Sequence, residues 1–172
     1  MKRNWIGLVG FLLGSFVTTF AQQNPAKNFI GVERLLGRIG KLHRKGNRLG
    51  LKNLRGVRIE SSYFLKYLLP PHSASVIHIY FPDPWPKKRH HKNRLVNERF
   101  PQLALNALTS NGIVYLRTDD AKYFAQMLEV FGASKDFHKM ETPLGLAEIL
   151  TDFERDFNLR GIKTLRAAYR LA

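Results

Sequence analysis

The chain has no cysteine, and that single absence removes disulfide frameworks, thiol nucleophiles and thiolate metal sites together. Acids are scarce as well: 13 Asp and Glu stand against 28 Lys and Arg, a formal net charge of +15 on 172 residues. Between Arg34 and Arg58 there is no acid at all. A chain this cationic suits a polyanion, with nucleic acid ahead of anionic lipid. Long apolar runs are also missing. The opening "MKRNWIGLVGFLLGSFVTTFAQQ" has the basic head and apolar stretch of a signal peptide, but its apolar part is short and broken by Gly and Thr, which argues against a membrane span. What remains, 44% apolar and 24% charged, is the composition of a folded protein, and the length suits a single domain over residues 1–172.

Strand and helix signals alternate along the chain with short connections. Residues 28–33, 53–60, 75–81 and 113–118 read as strands, with a short one near 136–141 and a last one near 163–170. Residues 34–49 have helical periodicity, with Leu35, Ile39, Leu42 and Leu49 near one face and Arg34, Arg38, Lys41, Lys45 and Arg48 near another. Further helices are expected over "SSYFLKYLL", 98–112, 119–133 and 145–156. The alternation predicts an α/β domain with a largely parallel sheet, whose ligands bind beyond the carboxyl ends of the strands. Glu33, Glu60, Asp83 and Asp119 each end a strand and would gather along that edge. Such a sheet also needs a strand before 28–33, so residues 5–12 read as that strand, Gly10 to Gly14 as a turn and 15–23 as a helix, rather than as a cleaved leader.

The stretch "FPDPWPKKRHHKNRL" at 81–95 places one carboxylate between prolines, followed by a dense basic run. Together with "FIGVE" at 29–33, "YLRTDDAKYFAQML" at 115–128 and "TDFERDFNLRGIKTLRAAYR" at 151–170, it resembles the bacterial tRNA (guanine-N7)-methyltransferases in order and approximate spacing, over almost the whole chain. The resemblance implies a Rossmann-like class I fold, dependent on S-adenosylmethionine, with a mostly parallel seven-stranded sheet and a shortened amino terminus. It further implies tRNA as partner, a cytoplasmic setting, no membrane and no metal.

Carried over residue by residue, the resemblance assigns Asp83 to catalysis. Gly10 and Gly14 of "LVGFLLG", with Glu33, Glu60 and Ser61, fall to the cofactor. Lys87, Lys88, Arg89, His90, Lys92 and Arg94, with Asp119, Thr151 and Glu154, fall to the RNA substrate. The chemistry is consistent with these residue types. Guanine N7 has an exposed, unprotonated lone pair, so methyl transfer needs no strong base, and a fixed carboxylate favours the positive charge that develops on the purine. A strand-end Glu can accept from two ribose hydroxyls. A carboxylate such as Asp119 can take the guanine N1 and N2 donors while leaving N7 free. Lysines and arginines neutralise phosphates. Trp85 stacks on a base or packs the loop, and Asp119 otherwise caps a helix. Adjacent His90 and His91 lack a metal-ligand set. The chain departs from the family motif at Leu8, where relatives carry an acid, and at Leu12, where they carry a glycine. The competing reading is therefore a tRNA-binding remnant without turnover.

Overall fold

The computed structural model describes residues 5–9 and 14–172. Its sheet is seven-stranded, and in chain order the strands are β1 (Trp5–Val9), β2 (Asn28–Glu33), β3 (Leu54–Arg58), β4 (Ala74–Tyr80), β5 (Leu108–Thr118), β6 (Phe137–Met140) and β7 (Leu165–Leu171). They lie in the order β3-β2-β1-β4-β5-β7-β6. Pairings among β1 to β5 are all parallel, whereas β7 runs antiparallel to both β5 and β6. The sheet is therefore mostly parallel, with an antiparallel edge formed by β7 and β6. The cause is local: α7 (Asp152–Leu159) returns the chain through the turn at Gly161 (φ 67), and β7 wedges in the reverse sense beside β5.

Two cores cover the two faces. On one, α1 (Gly14–Gln23) and α2 (Leu36–Arg48) bury Phe16, Val17, Ala21, Ile39 and Leu42 against Phe29, Leu54, Tyr80 and Tyr115. On the other, α4 (Phe100–Ala107) and α5 (Ala121–Gly132) bury Phe100, Ala104, Tyr123, Met127 and Phe131 with Ile77, Ile79, Val114 and Leu116. Runs apolar on both sides are what a central strand between two helical layers requires. α2 packs closely on Gly31: a Cβ there would lie 2.7 Å from Leu42 Cδ2. No helix of the described residues is long and apolar enough to cross a membrane.

Four boundaries differ from the sequence reading. The helix expected over 98–112 stops at Ala107, and β5 begins at Leu108, opposite Ala74. The "SNG" turn signal lies inside the strand as an irregularity, with Asn111 at φ 61 and the register shifting between Ala74 and Val76. The helix expected over 145–156 is two, α6 (Leu144–Ala147) and α7. "SSYFLKYLL" forms one α-helical turn, α3 (Ser61–Tyr63), and then a π-helical turn over Phe64–Leu68, closed by the Leu69 N–H donating to the Phe64 carbonyl at 2.9 Å. The described part of the first strand is Trp5–Val9, and Gly10 and Leu12 lie outside the described residues.

Candidate active site and nucleic-acid interface

Asp83 follows β4 on a backbone fixed from both sides. Phe81 sits at φ 51 and Trp85 at φ 45, left-handed conformations that cost a bulky L-residue on the order of 1–3 kcal/mol. Packing offsets that cost: Phe81 is buried against Phe153 and Phe157, and its N–H donates to the Arg117 carbonyl at 2.8 Å. Pro82 and Pro84 restrict the two positions flanking the acid. Asp83 itself is exposed and accepts no hydrogen bond from a described residue.

The basic run that follows divides in two. Lys87, Lys88, Arg89 and Lys92 are exposed on or beside a 3-10 turn, Lys88–Asn93, and His90 lies edge-on to Trp85 with ring centroids 5.8 Å apart. Arg94 does not join them. It is buried at 3% exposure, donates from Nε to the Pro84 carbonyl at 2.7 Å and from a terminal nitrogen to Gln126 Oε1 at 2.5 Å, and lies 4.8 Å over the Tyr123 ring. Arg94 thus clamps the loop with two of its five N–H donors and also lines the cleft beyond the strand ends. Tyr123 completes the clamp by accepting from the Val96 N–H at 2.8 Å, and burial pushes its phenol up. Tyr123 and Gln126 escaped sequence reasoning, since helical periodicity alone marks such residues as core.

An open cleft of about 440 Å³ runs beyond the strand ends and is lined by Arg34, Glu60, Ser62, Asp83, Trp85 and Lys92 among others. It therefore brings together acids from β3 and β4, which lie on opposite sides of β2 and β1. Glu33, one residue before Arg34, is buried; its carboxylate accepts from the Leu35 N–H at 2.8 Å and pairs with Arg38 at 3.4 Å. Glu60 caps α3, its two oxygens accepting from the Ser62 and Tyr63 N–H groups at 2.9 and 2.7 Å. Ser61 is buried beneath, and Ser62 rather than Ser61 lines the cleft. Asp119 is exposed at the end of β5 but does not line this cleft, and the cap of α5 is Asp120, which accepts from the Tyr123 N–H at 2.7 Å. Gly14 begins α1 at the end of the described gap.

Thr151 and Glu154, expected at the substrate, are fully buried. They form a reciprocal capping box at the start of α7, which satisfies two orphan donors of the helix. Glu154 also accepts from Arg117 and Arg166, each at 2.8 Å. Arg117, on β5 and itself 1% exposed, donates further to the Leu146 and Ile149 carbonyls and lies 4.2 Å over the Tyr80 ring. Those captured carbonyls separate α6 from α7. Beside Tyr80, His78 is sealed in the sheet, its Nδ1 2.7 Å from the Tyr80 hydroxyl and its Nε2 without a partner. Burial, reinforced by the Arg117 charge, pushes its pKa down to about 3. No group of three or more His, Cys, Asp or Glu among the described residues is arranged to hold a metal.

Comparison with known proteins agrees with this geometry. A family model described as a putative methyltransferase matches residues 6–167. The tRNA (guanine-N(7)-)-methyltransferase of Bordetella pertussis is 38% identical over 124 residues, covering 72% of this chain and 49% of that protein. The enzyme of the same name from Nitrosospira multiformis is 34% identical over 152 residues, covering 86% and 66%. The chain thus spans about half to two thirds of the length of the curated relatives it matches. Among solved structures, the 16S rRNA methyltransferase KamB superposes with a TM-score of 0.68 at 12% identity, covering 99% of this chain and 89% of that one. TrmN from Thermus thermophilus superposes with a TM-score of 0.66 at 16% identity, covering 99% and 45%. These likenesses establish the fold as that of the Rossmann-like class I methyltransferases.

Proposed function

We propose, of a chain that belongs to the putative methyltransferase family and within it to the tRNA (guanine-N7)-methyltransferases, that it methylates N7 of a guanine in the tRNA variable loop. One observation carries the reading: Asp83, unsatisfied and held between two strained residues, shares a cleft with Glu60 and with the cationic residues Arg34 and Lys92.

The chain's features suit S-adenosylmethionine. Strand order reverses between β1 and β4, and ligands of open α/β sheets bind at such a switch point. Glu33, at the end of β2, is oriented by Leu35 and Arg38 and keeps a free lone pair on each oxygen for ribose hydroxyls. Glu60 supplies a second acceptor further along the cleft. When bound, the cofactor supplies a methyl group on a sulfonium. Everything else falls to the protein. Asp83 faces the guanine as its N7 gains positive charge and favours that charge electrostatically. No residue has to remove a proton, because N7 carries none. Lys87, Lys88, Arg89 and Lys92 hold the RNA backbone and set its approach. Asp119, one strand further along, is free to accept from the guanine N1 and N2 donors.

Incubating the purified chain with unmodified tRNA and methyl-labelled cofactor, followed by mapping of the label, tests the proposal. Label on a variable-loop guanine N7 is expected, and label elsewhere overturns it. Leu8 favours a second reading. It stands in β1 opposite Gly31, where the family motif has an acid, and it offers no charge to a polar ligand. A chain that binds tRNA yet incorporates no label is that second reading.

A further inference from the structure

From an aromatic pair beside the cleft we infer a base-stacking platform formed by Tyr63, the last residue of α3, and Tyr67 on the π-helical turn that follows it. Its ligand is an unpaired RNA base, and the inference rests on the RNA-binding reading given above. Two large aromatics stand out in solvent, Tyr63 at 50% and Tyr67 at 59% exposure, while Phe64 and Leu65 between them are buried. The wider turn brings residues four apart nearly into line, and the two ring centroids are 4.8 Å apart. The platform continues the cleft, because Ser62 lines the cleft wall and the Tyr63 N–H is tied to Glu60 at 2.7 Å.

Charge selects the occupant. The Lys66 ammonium lies 4.8 Å over the Tyr67 ring, holding the π face that a base would take. A nucleotide satisfies both residues at once: the base displaces the ammonium from the ring, and the ammonium turns to the phosphate. Stacking of this kind is tolerant of sequence, since every base has a π face, and unpaired bases are what proteins read on RNA. A protein partner would match the exposed Leu68 but offers the ammonium no phosphate. The platform therefore receives a base flanking the target rather than the target itself, which Asp83 faces.

The test compares binding of a 12-nucleotide single-stranded RNA with that of the same oligomer carrying abasic sites. It uses the full chain, Tyr67→Ala and Tyr67→Phe, with circular dichroism as the check on folding, and Lys88→Glu/Lys92→Glu as a charge control. The unaltered chain should prefer the intact oligomer by about tenfold or more. Tyr67→Ala should abolish that preference, and Tyr67→Phe should keep it. An unchanged preference in a folded Tyr67→Ala, with weakened binding in the charge control, overturns the platform and leaves the RNA reading standing. Absence of RNA binding by the unaltered chain overturns both. A loss of self-association in Tyr67→Ala, with RNA preference intact, also overturns the platform by making the pair a protein contact.

Discussion

Two carboxylates of this molecule, Glu154 and Asp83, sit in opposite settings. Glu154 is fully buried, and its oxygens receive Arg117, Arg166 and the Thr151 N–H. Asp83 is exposed, receives no hydrogen bond from a described residue, and has its nearby Arg94 turned away toward Pro84 and Gln126. Both acids lie in segments that match the family. Proximity of opposite charge is therefore a poor guide to function. What separates scaffold from site is whether the lone pairs are already spent. At Glu154 desolvation is offset by complete pairing. At Asp83 the charge stays in water and the backbone on either side is held under strain.

Breaking each acid in turn gives the largest contrast. Glu154→Ala strands Arg117 in the core with its charge uncompensated, which should cost about 3–5 kcal/mol, read as a lower midpoint in urea unfolding with α6 and α7 loosened first. A Glu154→Ala protein of unchanged stability would dissolve the distinction. Asp83→Ala should leave the midpoint within about 0.5 kcal/mol while methyl transfer to tRNA falls by on the order of 100- to 1,000-fold, the usual scale for losing one preorganised electrostatic group. Equal activity in Asp83→Ala would return the acid to the surface.

How much of this contrast was legible in the sequence depends on the distance over which each feature is determined. Acids at strand ends are local facts, so Glu33, Glu60 and Asp83 fell where alternating strands and helices put them. Arg94 was misread because a run of bases carries no period that says which member turns inward; only Gln126, 32 residues on, decides it. Thr151 and Glu154 were misassigned for a related reason, since their partner Arg117 comes from β5, 37 residues before Glu154. The same guanidinium splits the expected helix at 145–156. The left-handed Phe81 had no signal, as the Pro82 that follows it favours an extended backbone instead. Gly10 and Leu12, on which the cofactor motif turns, lie outside the described residues.

A second contrast concerns His78, buried in the sheet. His78 is held neutral, with its pKa near 3 instead of 6.5, so near neutral pH it adds only a shallow pH dependence to stability. As pH falls below about 6.5 the unfolded chain takes up a proton that the folded chain refuses, and stability drops by up to about 1.4 kcal/mol per pH unit until about pH 3. Urea midpoints at pH 7 and pH 5 should therefore converge in His78→Phe relative to the unaltered protein, even though that variant is weaker at both by stranding the Tyr80 hydroxyl. An identical pH slope in the two proteins would place the refused proton elsewhere.

The smallest effect is the one that tests the loop's division of labour. Lys92, exposed on the cleft wall, is free to meet one phosphate, whereas Arg94, two residues on, is occupied by the fold. Each phosphate contact contributes roughly 0.7–0.9 to the slope of log affinity against log salt, through release of a condensed counterion. Lys92→Ala should lower that slope for tRNA by about this one increment, with the urea midpoint unmoved. Arg94→Ala should do the converse, lowering the midpoint because Pro84 and Gln126 lose their donor, with the salt slope preserved wherever the protein remains folded. If the two substitutions exchange these signatures, Arg94 reaches RNA and Lys92 serves the fold, and the unspent-lone-pair rule drawn from Asp83 and Glu154 does not extend to the cations beside them.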